Sequence, residues 1–202
     1  MKRWNVIQRF IDERGYKSFL EIGRRYGETF DRINIHEKMS VDPAISAPYN
    51  MQTTSDDFFE SCKTMSDFDI IFIDGLHHAD QVKRDIENSL KHISLNGVIL
   101  LHDCSPLKEE YQIVPQSENK SLAWCGTVWK AFVGFQGIKT CVNTDHGIGI
   151  IEAHNVLPFD AEPKIKISKL SYKAFDKNRV QLLNLISPRQ FDEFYFNVHN
   201  FV

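Results

Sequence analysis

The sequence predicts an α/β protein with an open, mostly parallel sheet, helices on both of its faces and an antiparallel hairpin at its end. Residues 69–73 and 98–101 form mainly apolar runs with the length and composition of strands buried on both sides. Residues 18–22 form a third apolar segment that leads into glycines, which is typical of a strand followed by a turn and a helix. Residues 138–143 and 148–152 flank a Thr-Asp-His-Gly turn and predict the hairpin.

Apolar residues at helical spacing predict helices between these strands. The first helix is predicted to end at Gly15, residues 124–135 predict a later one, and Ser187 begins a capping box that predicts the last. A long helix after residue 79 is predicted to separate the two most apolar strands. Its buried face is predicted to carry Val82, Ile86, Leu90 and Ile93, and its exposed face Asp80, Lys83, Arg84, Asp85 and Glu87.

Length and composition indicate one globular domain. The chain has 202 residues, of which 42% are hydrophobic, and this is enough for one sizeable core. We assign residues 1–202 to a single domain, with a core over about 16–152 and a C-terminal helical extension over 153–202. The formal charge of −3 comes from interleaved acidic and basic residues, so we expect neither nucleic acid nor a membrane surface as a partner.

The sequence gives no indication of export. Its first residues lack the apolar core of a signal peptide, and no stretch approaches the length of a membrane span. The four cysteines are widely separated and show neither Cys-x-x-Cys pairs nor the density of a disulfide scaffold. We therefore expect a cytoplasmic protein with buried, reduced thiols.

The end of the first strand predicts a ligand-binding turn. Glu21, Gly23 and Gly27 form the pattern Glu-x-Gly-x-x-x-Gly. An acid at the first position would repel a pyrophosphate, but it can pair with the cationic amino group of an amino-acid-like ligand such as S-adenosylmethionine. Taken alone, the pattern is equally compatible with an ordinary structural turn.

Polar residues after the next strands predict the rest of such a cradle. Asp42 ends the second strand 21 positions after Glu21, where folds of this kind bind ribose hydroxyls. Ser55 and Asp56 open the following helix at the same edge, where an adenine could be gripped. A turn before Pro43 and helix capping explain the same three residues without a ligand.

Charged side chains also follow the two most apolar strands. Because the carboxyl ends of neighbouring parallel strands meet at one edge of the sheet, we expect these side chains to lie together. They are Asp74, His77, His78, His102 and Asp103.

Taken together, these features resemble the class I S-adenosylmethionine-dependent methyltransferases, which have a Rossmann-like sheet. Residues 19–30, 72–79 and 97–103 are similar to the small-domain group that includes sugar and macrolide-glycoside O-methyltransferases, and the resemblance covers about residues 16–152. It implies S-adenosylmethionine as cofactor and a small-molecule or glycan acceptor. The implied cofactor contacts are Glu21, Gly23 and Gly27 on the methionine end, Asp42 on the ribose, Ser55 and Asp56 on the adenine side, and Asp74 facing the sulfonium and the substrate.

The resemblance also implies a place for a metal ion. In metal-using members of the wider group, three acids bind Mg²⁺, and the matching positions here are Asp74, His102 and Asp103. Since a hard cation prefers oxygen ligands, the histidine leaves open Mg²⁺, a softer divalent ion or no metal. For methyl transfer to a sugar or glycan hydroxyl we expect either a histidine as general base beside Asp74 or a metal that lowers the pKa of the hydroxyl. Among the histidines we favour His78 and His102.

Other functions remain open from the sequence. A metal-dependent hydrolase would use the histidines and acids but leave Glu21 and the glycines without a role, and a binding module that has lost catalysis would keep only the cradle. A nicotinamide oxidoreductase is the least favoured, because an acid stands where the pyrophosphate turn needs glycine. Residues 105–122 predict a long loop beside the site, and the C-terminal helices are expected either to cover the site or to form a homodimer contact.

Overall fold

The structure is a computed structural model that describes residues 1–62, 67–156 and 169–196. Within these residues one sheet has eight strands in the order β3-β2-β1-β4-β5-β7-β6-β8. The strands are β1 (Ser18–Ile22), β2 (Glu37–Val41), β3 (Asn50–Met51), β4 (Phe68–Ile73), β5 (Ile93–Leu101), β6 (Gly137–Val142), β7 (Ile148–Val156) and β8 (Leu185–Ile186). The helices are α1 (Arg3–Arg14), α2 (Ser55–Ser61), α3 (Ala79–Ser89), α4 (Val128–Gly134), α5 (Tyr172–Lys177), α6 (Arg179–Leu183) and α7 (Pro188–Tyr195).

The sheet confirms the predicted fold class. β1 to β5 pair in parallel, whereas β7 pairs antiparallel with both β5 and β6. Alternate residues of β4 pack on opposite faces: Ile71 lies in a core with α2, α3 and α4, and Phe72 lies in a second core with α1 and α7. Both faces of the sheet are therefore covered by helices, as strands buried on both sides require.

Several elements differ from the sequence prediction near α3. The helix ends at Ser89, and Ile93 begins β5 instead of continuing the helix stripe. Asp85, which periodicity places on the exposed face, is 1% exposed because its carboxylate packs against α2 and accepts a hydrogen bond from Ser55 at 2.6 Å. Partner helices, which periodicity does not reveal, decide which polar residue of α3 is buried.

The C-terminal part is less purely helical than predicted. β7 continues past Glu152 to Val156, and β8 adds a short strand beside β6, so the sheet crosses the expected core boundary. The helix predicted over 124–135 covers only Val128–Gly134. The Ser187 capping box is present as predicted. Residues 157–168 and 197–202 of the predicted extension lie outside the described residues.

The four cysteines are free and buried, as predicted. Among the helices of the described residues, none is both long and apolar enough to cross a bilayer.

Candidate active site

Four strands end level with one another at the carboxyl edge of the sheet. The register pairs Ile22 with both Val41 and Ile73, and Ile73 with Leu101. The residues that follow these strand ends are Gly23, Asp42, Asp74 and His102, and all four of their amides continue the ladder at 2.8–3.2 Å. The parallel register therefore brings the predicted cofactor turn and the predicted acid–base residues to one edge.

Gly23 is needed for the close approach of two backbones. Its φ is +88°, and a Cβ at this position would lie 2.3 Å from the carbonyl oxygen of Asp74. Gly27 also has a positive φ, of +79°, and a Cβ there would meet the carboxylate of Asp31. Both glycines are thus required by the turn itself, and Gly23 positions the cradle directly against the end of β4.

Glu21 is a buried carboxylate on β1 with one unpartnered oxygen. It is 1% exposed, and its Oε2 atom has no hydrogen-bond partner among the described residues. Burial and the nearby Asp74 raise the pKa of Glu21 well above its ordinary value, and Arg3 and Arg24 offset only part of this rise. A buried acid of this kind fits the amino group of a methionine-like ligand, which would supply the missing charge and hydrogen bond.

Asp42 is held in place by the chain around it. One carboxylate oxygen accepts a hydrogen bond from the amide of Arg25 at 2.7 Å, and the other accepts from the amide of Ala44 at 2.9 Å. The carboxylate is therefore fixed at the tip of β2, beside the glycine turn. Its predicted contact with a ribose stays a prediction.

Ser55 and Asp56 contact α3 in this structure. The Ser55 hydroxyl donates to Asp85, and Asp56 accepts a hydrogen bond from Gln81 at 3.2 Å and pairs with Arg84 at 3.3 Å. These contacts join α2 to α3 at the edge of the cradle. The predicted adenine contact of both residues stays a prediction.

Two histidines and two acids form the predicted polar cluster, here called the acid–base cluster (Asp74, His77, His102 and Asp103). The Asp74 Oδ1 atom lies 3.2 Å from Nε2 of His77 and 3.2 Å from Nδ1 of His102. The Asp103 Oδ2 atom lies 3.4 Å from Nδ1 of His77 and 3.3 Å from Nδ1 of His102. Each imidazole thus lies between two carboxylates.

The electrostatics of the acid–base cluster favour charged imidazoles. Burial would lower the pKa of His102, but Asp74 and Asp103 outweigh it and raise that pKa well above its ordinary value. Burial likewise opposes charge on His77, and the same two carboxylates raise its pKa. In return, His102 and His77 hold the pKa of Asp74 below its ordinary value.

The structure brings His77, and not the favoured His78, into the acid–base cluster. His78 occupies the N-cap of α3, and its side chain makes no hydrogen bond to the cluster in the described part of the chain. His77 is oriented by Trp124, whose ring stacks on the imidazole at 4.7 Å and whose carbonyl oxygen lies 3.3 Å from Nδ1. The sequence indicated a histidine after β4 but could not distinguish two adjacent ones.

Sequence reasoning missed Arg3 and Asp145. The Arg3 side chain donates to Thr29 at 2.7 Å and to Asp145 at 3.2 Å, and its Nε atom lies 3.8 Å from Oδ2 of Asp74. Asp145, in the β6–β7 turn, has an oxygen 3.8 Å from Nε2 of His102. Helix α1 and this turn therefore close the site from one side, through contacts that join positions more than a hundred residues apart.

The three residues predicted to hold a metal ion lie close together. Asp74, His102 and Asp103 have donor atoms within 4.8 Å of one another. One of the three donors is an imidazole nitrogen, whereas Mg²⁺ prefers oxygen ligands, so the set suits a softer divalent ion better than Mg²⁺. Metal binding at these three residues stays a prediction.

Comparisons with known proteins agree with this arrangement. A family model described as a methyltransferase domain matches residues 24–104. The solved structure of the O-methyltransferase from Bacillus cereus in complex with SAH is 15% identical and covers 74% of this chain and 80% of that chain, with a TM-score of 0.52. The SAH-bound methyltransferase PaMTH1 from Podospora anserina is 15% identical and covers 74% and 76%, with a TM-score of 0.51. No curated protein matches the chain.

The fold is therefore that of the class I S-adenosylmethionine-dependent methyltransferases, so the resemblance predicted from the motifs is confirmed at the level of the fold. The matched family segment begins at Arg24, just after β1, and ends at Cys104, just after β5. It thus spans the strand ends that carry Asp42, Asp74 and His102. At 15% identity the solved structures establish the fold alone, because one fold can carry many activities.

Proposed function

We propose that this protein is an S-adenosylmethionine-dependent O-methyltransferase acting on a sugar or glycan hydroxyl. One observation carries the proposal: the buried Glu21, with an unpartnered oxygen, shares a sheet edge with the acid–base cluster. The family segment over residues 24–104 supports it. When bound, S-adenosylmethionine supplies an electrophilic methyl group on a sulfonium.

In this proposal the chain's residues divide into two groups. Glu21 binds the amino group of the cofactor, the turn from Gly23 to Gly27 surrounds its methionine end, and Asp42 binds the ribose hydroxyls. Ser55 and Asp56 border the adenine. Asp74 stands between the two groups, since its backbone packs on Gly23 and its carboxylate contacts both clustered histidines.

The acid–base cluster takes the proton of the acceptor hydroxyl. His77 or His102 accepts it in the neutral form, which becomes more populated as the pH rises toward their raised pKa values. Asp74 and Asp103 stabilise the imidazolium that forms, since each lies within 3.4 Å of a ring nitrogen. Holding the hydroxyl in line with the methyl group supplies the orientation part of catalysis. Arg3 and Asp145 close the side of the site and limit the entry of water.

The proposal of a sugar or glycan as acceptor rests on a polar surface beside the acid–base cluster. A depression of about 690 Å³ is lined by Glu109, Glu110, Gln112, Ile113, Val114, Thr127 and Lys130. Thr127 is fixed to the site, because its amide donates to the carbonyl oxygen of His77 at 2.8 Å. Carboxylate, amide and ammonium groups are hydrogen-bonding partners for hydroxyl-rich molecules, which favours a sugar or glycan over an apolar acceptor.

The test of the proposal begins with calorimetric titration of the metal-stripped protein with S-adenosylmethionine and its demethylated product. We expect low-micromolar binding, on the order of −8 kcal/mol. Transfer of labelled methyl to a panel of nucleotide sugars and glycosides should then identify an acceptor. Absence of binding by either compound would remove the proposal, whereas binding without transfer to any acceptor would favour a cofactor-binding module. A metal-dependent hydrolase leaves the burial of Glu21 unexplained.

Substitution of the two adjacent histidines should separate their roles. We expect His77→Ala to lower kcat at least tenfold, because it removes a proton-accepting group that contacts Asp74 and Asp103. The matched His78→Ala variant should keep kcat within about twofold, since that side chain makes none of these contacts among the described residues. The measurement is the initial rate with the acceptor found above. Equal losses in both variants would contradict the assignment of His77.

A further inference from the structure

A cysteine, a histidine and an aspartate from three separate segments meet beside the acid–base cluster. Asp103 follows β5, Cys125 lies in the long connection before α4, and His146 lies in the β6–β7 turn. One donor atom from each of the three lies within 4.8 Å of the others. Thiolate, imidazole and carboxylate are the donors that proteins use for Zn²⁺ and related borderline ions.

Backbone contacts hold the three donors together. The turn of His146 is tied to the residues after Asp103, because the amide of Ser105 donates to the carbonyl oxygen of His146 at 2.7 Å and the amide of Cys104 donates to that of Gly147 at 3.1 Å. These bonds fix the separation of two donors that are far apart in sequence.

Cys125 is held from both sides. Its amide donates to the carbonyl oxygen of Tyr111 at 2.8 Å. The next residue, Gly126, packs so closely on His77 that a Cβ there would lie 2.1 Å from the His77 carbonyl oxygen, and φ is +56° at this glycine. The position of the thiol is therefore set before any ligand binds.

One of the three donor side chains has a buried atom without a partner. Cys125 is fully buried, and its side chain hydrogen-bonds to Asp103. The Nδ1 atom of His146 is buried and has no hydrogen-bond partner within the described residues. Burying an imidazole nitrogen without a hydrogen-bond partner costs folding free energy, and a cation would supply that partner.

We propose that Asp103, Cys125 and His146 bind one thiophilic divalent cation of the Zn²⁺ type, with a fourth position open. On binding, the Cys125 S–H bond breaks, its proton leaves to solvent, and the sulfur–metal bond forms with no change of oxidation state. A Zn²⁺ site has metal–sulfur bonds of about 2.3 Å and metal–nitrogen bonds of about 2.0 Å, so the three donors need to move together by only about 1 Å.

This site differs from the Asp74, His102 and Asp103 set, with which it shares only Asp103. His102 can remain a charged partner of Asp74 while the thiolate and Asp103 together neutralise the bound ion. The inference also goes beyond the proposed methyltransferase, because the ion can be detected without cofactor or acceptor. Because Asp103 also contacts His77 and His102, a bound ion would change the electrostatic environment of both histidines.

The test uses Co²⁺ as a spectroscopic probe on the full chain, stripped of metal and kept reduced. We expect a sulfur-to-cobalt charge-transfer band in the near ultraviolet and intense visible bands of a tetrahedral ion, both removed by adding Zn²⁺. Cys125→Ser should abolish the charge-transfer band, and His146→Gln should weaken Co²⁺ binding at least tenfold. The matched Cys62→Ser variant, at a buried thiol between α2 and the sheet, should leave both unchanged.

Two further measurements keep the test decisive if a variant does not fold. Zn²⁺ binding to the wild-type protein should release one proton from the thiol, and X-ray absorption should show one sulfur neighbour of the bound zinc at about 2.3 Å. A weak, octahedral Co²⁺ spectrum without a charge-transfer band would overturn the proposal. So would binding that is lost in His102→Gln but kept in Cys125→Ser, since the ion would then lie on the other donor set.

Discussion

Gly23→Ala is expected to destabilise the protein by about 3 kcal/mol and to abolish cofactor binding. An alanine at φ of +88° costs about 1 kcal/mol in backbone strain, and its Cβ would lie 2.3 Å from the Asp74 carbonyl oxygen. Overpacking of this kind typically adds 1–3 kcal/mol, in round numbers about 2, because rigid backbone must move. The displaced Asp74 and Gly75 lie at the centre of the proposed site.

Gly15→Ala is the matched control for this prediction. Gly15 also has a positive φ, of +64°, but a Cβ there would meet nothing within 4 Å. Gly15→Ala should therefore lower the free energy of unfolding by only about 1 kcal/mol and leave cofactor binding unchanged. Urea unfolding gives the free energies, and calorimetry gives the affinity for S-adenosylmethionine. Similar losses of stability in the two variants would show that close packing on Asp74 contributes nothing.

Glu21→Gln is expected to weaken S-adenosylmethionine binding about 30- to 100-fold while stabilising the free protein. Loss of a buried charge pair with the amino group accounts for about 2–3 kcal/mol of binding free energy. The exposed Glu37, at the start of β2, provides the control, and Glu37→Gln should leave the affinity unchanged. Unchanged affinity in Glu21→Gln would remove Glu21 from the cofactor site.

The stabilising effect of Glu21→Gln should depend on pH. Burial and Asp74 raise the folded-state pKa of Glu21, so the folded protein binds more protons than the unfolded chain above the ordinary carboxyl pKa. The stability of the wild-type protein therefore falls as the pH rises from that value toward the raised pKa. The amide does not titrate, so its advantage should be absent near pH 4 and should grow as the pH rises to neutral. Urea unfolding at both pH values measures it.

The strand ends and the glycine turn could be predicted from the sequence because their signals are local. Apolar runs identified β4 and β5, and the glycines after β1 identified a turn in which two positions have positive φ. In a parallel sheet, strand ends meet at one edge as a matter of geometry. The grouping of Asp42, Asp74 and His102 therefore followed from their positions alone.

The sequence predicted less well which helix residues are buried and which of two adjacent residues enters the site. Asp85 was expected on the exposed face of α3, yet it is buried, and its carboxylate accepts hydrogen bonds from Ser55 of α2 and Gln81 of α3. His78 was favoured over His77, although the turn before α3 and the stacked Trp124 orient His77 toward Asp74. Periodicity assigns a residue to a face, but contacts with other elements decide what that face meets.

By itself, the sequence determined the α/β class, the order of the main strands, the glycine turn and the edge at which polar residues gather. Only the tertiary structure decided that Arg3 and Asp145 close that edge, and that Cys125 and His146 meet at Asp103. The physical reason is the range of the interactions. Strands, caps and turns depend on neighbouring residues, whereas these contacts depend on how loops from distant parts of the chain pack against the finished sheet.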